Sequence, residues 1–581
     1  MSNDRIVYDL SQEMDTGPSN IFTQKSWINL IDNQQGSYIS NQSVLDSSSI
    51  SNSNKYASYK EAYLSVPLLI TLSTAPSSLA ASGLFAPATP ATSCDFALGL
   101  KNWYGNIVHS MTLDYNGSTI VQQTPYINMY NGYKLMTTLS YNDVISTGAS
   151  IGFFPDSSTT YSFNPAGTDS LAGTGVCNNS NVLIASTNVS GRFNEQNAGQ
   201  GNEGFLRRQS YINYDPDGNV GVGSTKFSSL LNAASSQSIW KSYISTKTNG
   251  VNGTSHGVFQ ISVMSQIYLR HLHSWFQNIP LIKNCFMKLT LNLNNTSFQV
   301  TNTSTAMVLT SVTNNVGGCN PLMIASAAGV NGSLALKVAA SFIANLSVGA
   351  VCLDSTIASY VPQGVLSRNI YMYVPVYSIN PIYEAAYLSS PLKQVVYTDV
   401  YQYSILGVAP NQQINNLITN GIANVKSILL MNFYSPTSSQ NTGLPLGVPV
   451  FQSPFESSGS GGCSSPLVAL SNFNCVLSGQ NVVYNTQRYS FEQFEHNNRS
   501  LSINGGLTDG LSSGLINRLD FDNIYSSYYL DLSRMLEIEN SVPKSISIIG
   551  QNVSSKTIDC FIFVEYGVSV TLDVLTGVRV S

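Results

Sequence analysis

The feature that most constrains the fold is a strict alternation of apolar and polar side chains along several segments. Between residues 286 and 294 every second residue is apolar: Met287, Leu289, Leu291 and Leu293. Residues 107–115 alternate in the same way and run directly into Asn116–Gly117. Successive side chains of a β-strand point to opposite faces, and Asn-Gly favours a two-residue hairpin turn. The chain is therefore predicted to form half-buried antiparallel strands.

Charged residues make up only 10% of the 581 residues, against roughly 25% in typical soluble domains. Exposed helix faces are usually covered by Lys and Glu, so their scarcity argues against a helical protein. Plentiful Val, Ile, Thr, Tyr and Phe favour strands. The expected fold class is all-β, with a few short helices, of which the clearest are predicted at His271 to Gln277 and Phe491 to His496.

Segments of similar character recur in the same order in two parts of the chain. Residues 395–408 resemble the strand that begins at Tyr56, 426–434 resemble 109–115, 528–549 resemble 268–291, and 556–566 resemble 368–377. This order implies two copies of one β-domain. Two many-stranded β-domains favour sandwiches, and the eight-stranded jelly roll is one standard form. The prediction is two tandem jelly rolls, at residues 55–380 and 381–581.

Two parts of the chain fall outside this repeat. Residues 33–54 are dominated by Ser, Asn and Gln, a composition that cannot build a core alone. Residues 1–54 are therefore predicted to form an N-terminal arm, which either orders on assembly or is a frayed terminus. The first jelly roll is longer than eight strands need, so large loop insertions are expected, notably from Asp156 to Ser236. Long loops often carry the outward-facing function of a domain.

Charge and targeting signals narrow the function classes. The net charge is -5, and tight DNA binding needs clustered Lys and Arg, so sequence-specific nucleic-acid binding is not expected. The N-terminus has no apolar core of a secretory signal. Residues 334–353 are apolar but contain Lys337 and Asn345, so they are predicted to be strand and loop and not a transmembrane segment. The eight scattered cysteines are predicted to be reduced thiols.

Three short motifs resemble nucleotide-binding or hydrolase sites without the context that those sites need. Residues 199–204 fit G-x-G-x-x-G, but no apolar strand precedes them. Residues 218–225 resemble a phosphate-binding loop, with Ser224 where the lysine must stand. Residues 510–514 fit G-x-S-x-G, but no matching His and acid can be assigned. No catalytic or cofactor-binding residue is predicted, and the chain is not expected to be an enzyme.

Two further patterns could hold a metal ion. Asn213, Asp215 and Asp217 follow the opening rhythm of a Ca²⁺ loop, but the closing Glu is missing and the same residues make a good turn. The turn without metal is favoured, and a bound Ca²⁺ stays open. His271 and His273 resemble the H-x-H of a metal-binding cupin, but a third His and a Glu are missing. With Arg270 they are predicted to form a local polar face, so no metal site is expected.

The order and character of three segments resemble a known family of proteins. The segments are 96–139, 150–155 (SIGFFP) and 275–294 (WFQNIPLIKNCFMKLTLNLN). They resemble double-jelly-roll major capsid proteins of the adenovirus-like lineage of double-stranded DNA viruses, above all those of virophages and polinton-like viruses. Residues 275–282 also resemble the helix-to-strand passage in capsid proteins of large algal DNA viruses. The motifs are structural, so the resemblance concerns the fold and indicates no active site.

The resemblance implies a structural protein of the virion, made and assembled inside a host cell. It implies homotrimers whose six jelly rolls form a pseudo-hexameric capsomer, and capsomers that tile an icosahedral shell. The expected partners are further copies of the chain, penton proteins and minor capsid proteins. Permanent interfaces are depleted in Lys, Glu and Asp, which fits the low charge. The alternative is a carbohydrate-binding adhesin or a surface-layer β-sandwich protein, which would expose aromatic residues on its loops.

Overall fold

The structure is a computed structural model. It describes the following residues, apart from a few inside these ranges: 21–74, 96–153, 182–184, 245–248, 255–303, 306–314, 321–326, 341–349, 369–434, 470–498, 514–533 and 542–580. The strands of these regions, numbered along the chain, are β1 (Phe22–Ile31), β2 (Gln42–Asp46), β3 (Tyr56–Ala57), β4 (Tyr63–Thr74), β5 (Phe96–Leu100), β6 (Val108–Tyr115), β7 (Ser118–Val121), β8 (Val182–Ile184), β9 (Ser245–Thr248), β10 (Ser255–Tyr268), β11 (Met287–Leu293), β12 (Thr296–Thr303), β13 (Ala306–Asn314), β14 (Leu322–Ser326), β15 (Ser341–Val348), β16 (Tyr371–Ile379), β17 (Leu392–Val408), β18 (Gln413–Ile422), β19 (Val425–Tyr434), β20 (Leu470–Leu477), β21 (Gln480–Asn481), β22 (Tyr528–Asp531), β23 (Lys544–Asn552) and β24 (Ile558–Asp573).

The helices of the described regions are short. They are α1 (Ser48–Ser51), α2 (Ile127–Thr138), α3 (Tyr141–Ile151), α4 (Leu269–Leu272), α5 (Trp275–Asn278), α6 (Pro381–Leu388) and α7 (Phe491–Asn498), with a 3₁₀ turn at Tyr104–Ile107. In the described part of the chain, no helix is long and apolar enough to cross a membrane.

The C-terminal part forms two four-stranded antiparallel sheets. One has the strand order β17-β24-β19-β22 and the other has the order β18-β23-β20-β21. If the eight strands are lettered B to I along the chain, these orders are BIDG and CHEF. That arrangement defines the jelly roll, in which two Greek keys make a double-sheet sandwich. We name residues 392–573 jelly roll 2.

The N-terminal part repeats this order. Strand β1 pairs with β16, β16 with β4, and β4 with β10, which gives a second BIDG sheet. The other sheet has the order β2-β11-β6-β7, which is again CHEF. We name residues 22–379 jelly roll 1. The predicted double jelly roll is therefore confirmed by the strand order of the chain itself.

Jelly roll 1 carries more insertions than jelly roll 2. Between strands H and I, β12, β13 and β15 extend the BIDG sheet beyond the sandwich through pairing of β15 with β4. Within 334–353, which were predicted to be strand and loop, residues 341–348 form β15. Most of the predicted loop at 156–236 lies outside the described residues, apart from strand β8, which pairs with β13. Strand β15 pairs with residues 68–74 of β4 and β16 pairs with residues 63–65, so the insertions extend the sheet at one end and leave the eight-stranded sandwich intact.

The alternating segments lie where their pattern predicts. In β11 the side chains of Met287, Leu289, Leu291 and Leu293 are buried, and the residues between them are exposed or half-exposed. Leu289 lies opposite Leu113 of β6 and Leu45 of β2. Asn116 and Gly117 both have positive φ, 45° and 81°, as the two central residues of a type I′ hairpin turn require. The core of jelly roll 1 is therefore built by the period-two pattern.

The predicted N-terminal arm is wrong from residue 22 onward. Residues 22–31 form strand B and residues 42–46 form strand C of jelly roll 1. The Ser-, Asn- and Gln-rich composition of residues 33–54 does not reveal β2 within them, and β1 is an edge strand whose side chains are mostly exposed. Only Ile28 and Leu30 turn their side chains toward the core. Residues 1–20 lie outside the described residues.

Because strand B of jelly roll 1 was not predicted, two of the four repeat matches pair strands that are not equivalent. Residues 395–408 and 426–434 are strands B and D of jelly roll 2, whereas the segments matched to them are strands D and E of jelly roll 1. The other two matches are correct, because they align strands G to H and strand I of the two jelly rolls. When the strands of a chain have similar amphipathic patterns, the number of repeats can be predicted more reliably than the alignment of the individual strands.

Candidate functional site: the contact between the two jelly rolls

The BIDG sheet of jelly roll 2 is apolar on both faces. Ile562 and Val564 of β24 point into the sandwich, whereas Phe561 and Phe563, one residue along in each case, belong to the core cluster of jelly roll 1. Met431 of β19 lies in that cluster as well and is fully buried. The outer face of this sheet is therefore covered by jelly roll 1 and belongs to its hydrophobic core, whereas the interior of jelly roll 2 forms a second core.

Helix α2 provides part of this cover. The ring of Tyr130 lies 5.7 Å from that of Phe563, and the ring of Tyr133 lies 6.2 Å from that of Tyr529. These are ordinary distances for favourable aromatic pairs. The helix is buried on nearly every side, including Ile127, Met129 and Met136. The polar residues Asn128 and Asn131 are buried together with the apolar ones, so α2 is buried because it lies between two domains.

The residue before this helix is strained. Tyr126 has φ +57°, in the left-handed region, which costs a residue with a Cβ about 1–2 kcal/mol. Its ring lies 5.0 Å from the ring of His109 in jelly roll 1 and 4.9 Å from that of Phe561 in jelly roll 2. Contacts with both domains therefore hold the strained backbone in place.

Strand β17 is the edge of its sheet, and side chains of jelly roll 1 occupy its free backbone groups. Ser274 Oγ donates to the carbonyl of Thr398 at 2.6 Å and accepts from the Thr398 N–H at 2.9 Å. Asn278 donates to the carbonyl of Val396, and Thr124 donates to that of Val400. Unpaired edge strands invite pairing with other chains, and here this edge is covered by the chain itself.

A buried polar cluster lies beside this edge. The backbone N–H of Trp275 donates to His273 Nδ1 at 3.1 Å. Nδ1 is therefore an acceptor, and the ring proton is on Nε2. Nε2 then donates to Asp399 Oδ1 at 3.3 Å, across the domain boundary. Asp399 also accepts from Val400 N–H at 2.8 Å and from Tyr566 Oη at 3.0 Å. The carboxylate is thus satisfied by three donors, as a buried charge requires.

A second ionic pair joins α2 to the sheet of jelly roll 2. Lys134 Nζ lies 3.4 Å from Glu565 Oε1, and Ser427 Oγ donates to the other carboxyl oxygen. The Glu565 side chain is 4% exposed, and its burial raises its pKa to about 7. Burial also lowers the pKa of Lys134 to about 8. Both shifts favour the neutral forms, because burial at the contact between the domains penalises the charged forms.

This pair predicts a pH dependence of stability. A carboxyl whose pKa is higher in the folded state binds its proton more tightly there, so stability falls as the pH rises from about 4.5 to about 7. The loss from this group is on the order of 3 kcal/mol, since one pKa unit corresponds to about 1.4 kcal/mol. Glu565→Gln removes the titration, and we expect a flatter curve of unfolding midpoint against pH.

The matched control is Glu492→Gln, which changes an exposed acid whose side chain is 61% exposed. This variant should keep the pH dependence of the unmodified protein. Midpoints are measured by chemical denaturation at pH 4.5 to 8. Equal slopes for Glu565→Gln and the unmodified protein would contradict the assignment to Glu565.

The structure separates the two histidines that the sequence places together. His271 packs against the ring of Tyr268 at 6.1 Å, and burial beside Arg270 lowers its pKa to about 4. His273 points the other way, to Asp399. Both line a cavity of about 360 Å³ between the jelly rolls, together with Lys134 and Arg270. Among the described residues, no group of three His, Cys, Asp or Glu is placed to hold a metal ion.

The remaining motifs and most of the cysteines are not described. Residues 199–204, 213–218 and 218–225 lie outside the described residues, and so does all of 510–514 except Gly514. Among the cysteines that the structure describes, Cys285, Cys475 and Cys560 are free and buried. Burial raises the pKa of Cys285 and of Cys475 to about 12, so these thiols stay protonated and unreactive.

Comparisons with known proteins give remote structural similarity. No family model matches the chain, and no curated protein matches it. The chain is similar to a chain of the Sputnik virophage structure from cryo-electron microscopy, with 12% identity, a TM-score of 0.47 and coverage of 98% of this chain and 90% of that one. It is similar to the mavirus major capsid protein, with 8% identity, a TM-score of 0.46 and coverage of 99% and 93%. The Faustovirus major capsid protein follows with 9% identity, a TM-score of 0.40 and coverage of 98% and 94%. All three TM-scores lie below 0.5, so the strand order of the chain establishes the fold.

Proposed function

We propose that this chain is a major capsid protein that forms trimeric capsomers and tiles an icosahedral shell around a double-stranded DNA genome. The observation that carries the proposal is the pairing of two equivalent jelly rolls through a hydrophobic cluster that spans both. A single chain thus supplies two β-units of the same topology with fixed relative positions. Three such chains, related by cyclic symmetry, present six similar units and a pseudo-hexagonal outline.

The character of the surface supports permanent assembly. Large apolar side chains are exposed on several strands, among them Trp27 on β1, Leu406 on β17 and Leu417 on β18, at 49%, 65% and 53% exposure. Charged residues form only 10% of the chain. Aromatic enrichment and depletion of Lys, Glu and Asp are typical of interface cores. A chain with this surface is suited to contacts with neighbouring subunits.

The proposal includes the role and partners of the chain. The role is structural and not enzymatic, and no cofactor is needed for it. The partners are other copies of the chain, then penton and minor capsid proteins, and the location is the virion. We also propose that the domain boundary falls at helix α6, because the sheets of jelly roll 1 end at residue 379 and those of jelly roll 2 begin at residue 392.

Trimers in solution are the first expected result. Size exclusion with light scattering should give three times the 62.7 kDa of one chain, and negative-stain images should show particles with a pseudo-hexagonal outline. A folded monomer at micromolar concentration would contradict the proposal. If such a monomer bound immobilised glycans, a carbohydrate-binding surface protein would be the better interpretation.

A further inference from the structure

The cavity between the two jelly rolls has basic side chains along its wall. Its volume of about 360 Å³ lies within the range of about 300–1,000 Å³ that is usual for small-molecule sites. The basic residues that line it are Lys134 on α2, Arg270 and His271 on α4, and His273. Among the described residues of the wall there is no Asp or Glu. The wall therefore favours an anion over a cation or a neutral ligand.

Two of these four bases have a carboxylate partner that does not line the cavity. Glu565 Oε1 lies 3.4 Å from Lys134 Nζ. Asp399 Oδ1 lies 3.3 Å from His273 Nε2. Both carboxylates belong to jelly roll 2, so these two bases are already used to join the domains.

Arg270 has no such partner. Its guanidinium lies 4.9 Å from the centre of the Tyr268 ring, and no carboxylate of the described residues forms an ion pair with it. Burial, together with the charge of Arg270, lowers the pKa of the adjacent His271 to about 4. A guanidinium stays charged, and its planar fork of donors binds a carboxylate through two parallel hydrogen bonds. An anion in the cavity would supply the counter-charge that Arg270 lacks.

Most of the remaining wall is apolar, and the cavity is long. Ile127 and Leu139, at the two ends of α2, both line it. It therefore follows the helix for about 18 Å, since an α-helix rises 1.5 Å per residue. Leu135, Leu272 and Val400 line it between these ends. A small inorganic ion would leave this apolar surface uncovered, whereas an aliphatic chain would cover it.

The basic side of the cavity faces solvent. Gln277 is exposed and Arg270 is half-buried, and the side chain of Lys134 is 29% exposed. Leu135 and Leu272, by contrast, are buried. A ligand can therefore place an apolar body in the interior and keep a charged head near the opening.

We propose that this cavity binds an aliphatic carboxylate, with the carboxylate on Arg270 and the acyl chain along α2. The bound ligand would contact jelly roll 1 through α2 and α4, and jelly roll 2 through Thr398 and Val400. A ligand that binds only the folded chain stabilises it, and this ligand would stabilise the junction of the two domains. The inference goes beyond the proposed function and does not depend on it.

The test is equilibrium dialysis of the full-length chain with radiolabelled decanoate at neutral pH. We expect one decanoate per chain. Decanol has the chain without the charge, and inorganic phosphate has charge without the chain. Each should displace the label only at concentrations at least about tenfold higher than unlabelled decanoate does, because the site uses both a charge-assisted hydrogen bond and apolar contact.

Arg270→Gln identifies the residue that holds the carboxylate. It removes the charge and keeps a polar side chain, and we expect decanoate to bind at least about tenfold more weakly, the scale of a lost hydrogen bond to a charged group. The matched control is Arg518→Gln, which changes an arginine whose side chain is 71% exposed and pairs with Glu492. Arg518 does not line the cavity, so the control should bind decanoate as the unmodified protein does.

A second measurement decides if Arg270→Gln fails to fold. The unmodified protein is photo-crosslinked to a decanoate that carries a diazirine on its chain. Products that map to residues 127–139, 269–277 or 398–400 support the inference. Products confined to other residues overturn it, as do an absence of decanoate binding, displacement by decanol or phosphate as strong as by decanoate, or unchanged affinity in a folded Arg270→Gln variant. The oligomeric state is measured separately, so each of these failures leaves the capsid proposal standing.

Discussion

Replacing Trp275 with alanine is expected to lower the free energy of unfolding by about 3–5 kcal/mol, the usual cost of removing a large buried aromatic side chain. Trp275 is fully buried. Its ring lies 5.8 Å from Tyr115 in jelly roll 1 and 5.0 Å from Tyr397 in jelly roll 2. Removing the ring would therefore leave a new cavity where the two domains meet. Guanidinium denaturation followed by circular dichroism, at one fixed protein concentration, measures the change.

Tyr141→Ala serves as the control, because the side chain of Tyr141 is 69% exposed and surface substitutions usually change stability by less than about 0.5 kcal/mol. Trp275→Ala should also make the region around α6 more sensitive to limited proteolysis, because the domains separate more easily. Equal stability of Trp275→Ala and Tyr141→Ala would show that the junction does not depend on this ring.

Asp399→Ala is the second substitution with a large expected effect, again about 3–5 kcal/mol, because it removes one partner of a buried charge network. The His273 Nε2–H, the Tyr566 hydroxyl and the Val400 N–H would each lose an acceptor. Chemical denaturation at neutral pH and fixed protein concentration reports the loss.

Two variants separate the network from general effects of removing an acid. Asp399→Asn keeps an acceptor oxygen and should cost less than Asp399→Ala. Asp114→Ala removes a carboxylate that accepts one hydrogen bond, from Thr119 near the surface, and should change stability by less than about 1 kcal/mol. A loss below 1 kcal/mol for Asp399→Ala would mean that the cluster does not hold the domains together.

The sequence predicts the sandwich well where strands have one buried face. The alternation in β11 and the Asn116–Gly117 turn are local signals, and both are confirmed. Prediction fails at β1 because most side chains of this edge strand are exposed, whether polar or apolar, so that no period of two marks a buried face. It also fails at α2, whose polar and apolar residues are spread around the helix and show no helical period. The Ser140–Asp143 capping box at the start of helix α3 is a local signal from which this helix could be predicted.

The contact between the jelly rolls could not be predicted from the sequence. Its polar pairs join residues far apart in the chain, 126 positions for His273 and Asp399 and 431 positions for Lys134 and Glu565. His273 was expected to share a polar face with Arg270 and His271, because local spacing cannot show that it reaches another domain. The outward residues Phe561 and Phe563 give β24 a continuous apolar run, which periodicity alone cannot assign to a domain contact.

The double-sided apolar sheet of jelly roll 2 has a consequence for biosynthesis. Jelly roll 1, which includes α2, emerges from the ribosome before the strands that α2 covers are made. The nascent sheet of jelly roll 2 can thus dock as it emerges, with Phe561 and Phe563 shielded from other chains. If the two jelly rolls were encoded in the opposite order, the outer face of that sheet would be exposed until jelly roll 1 was made. An exposed apolar face of this kind is prone to aggregation.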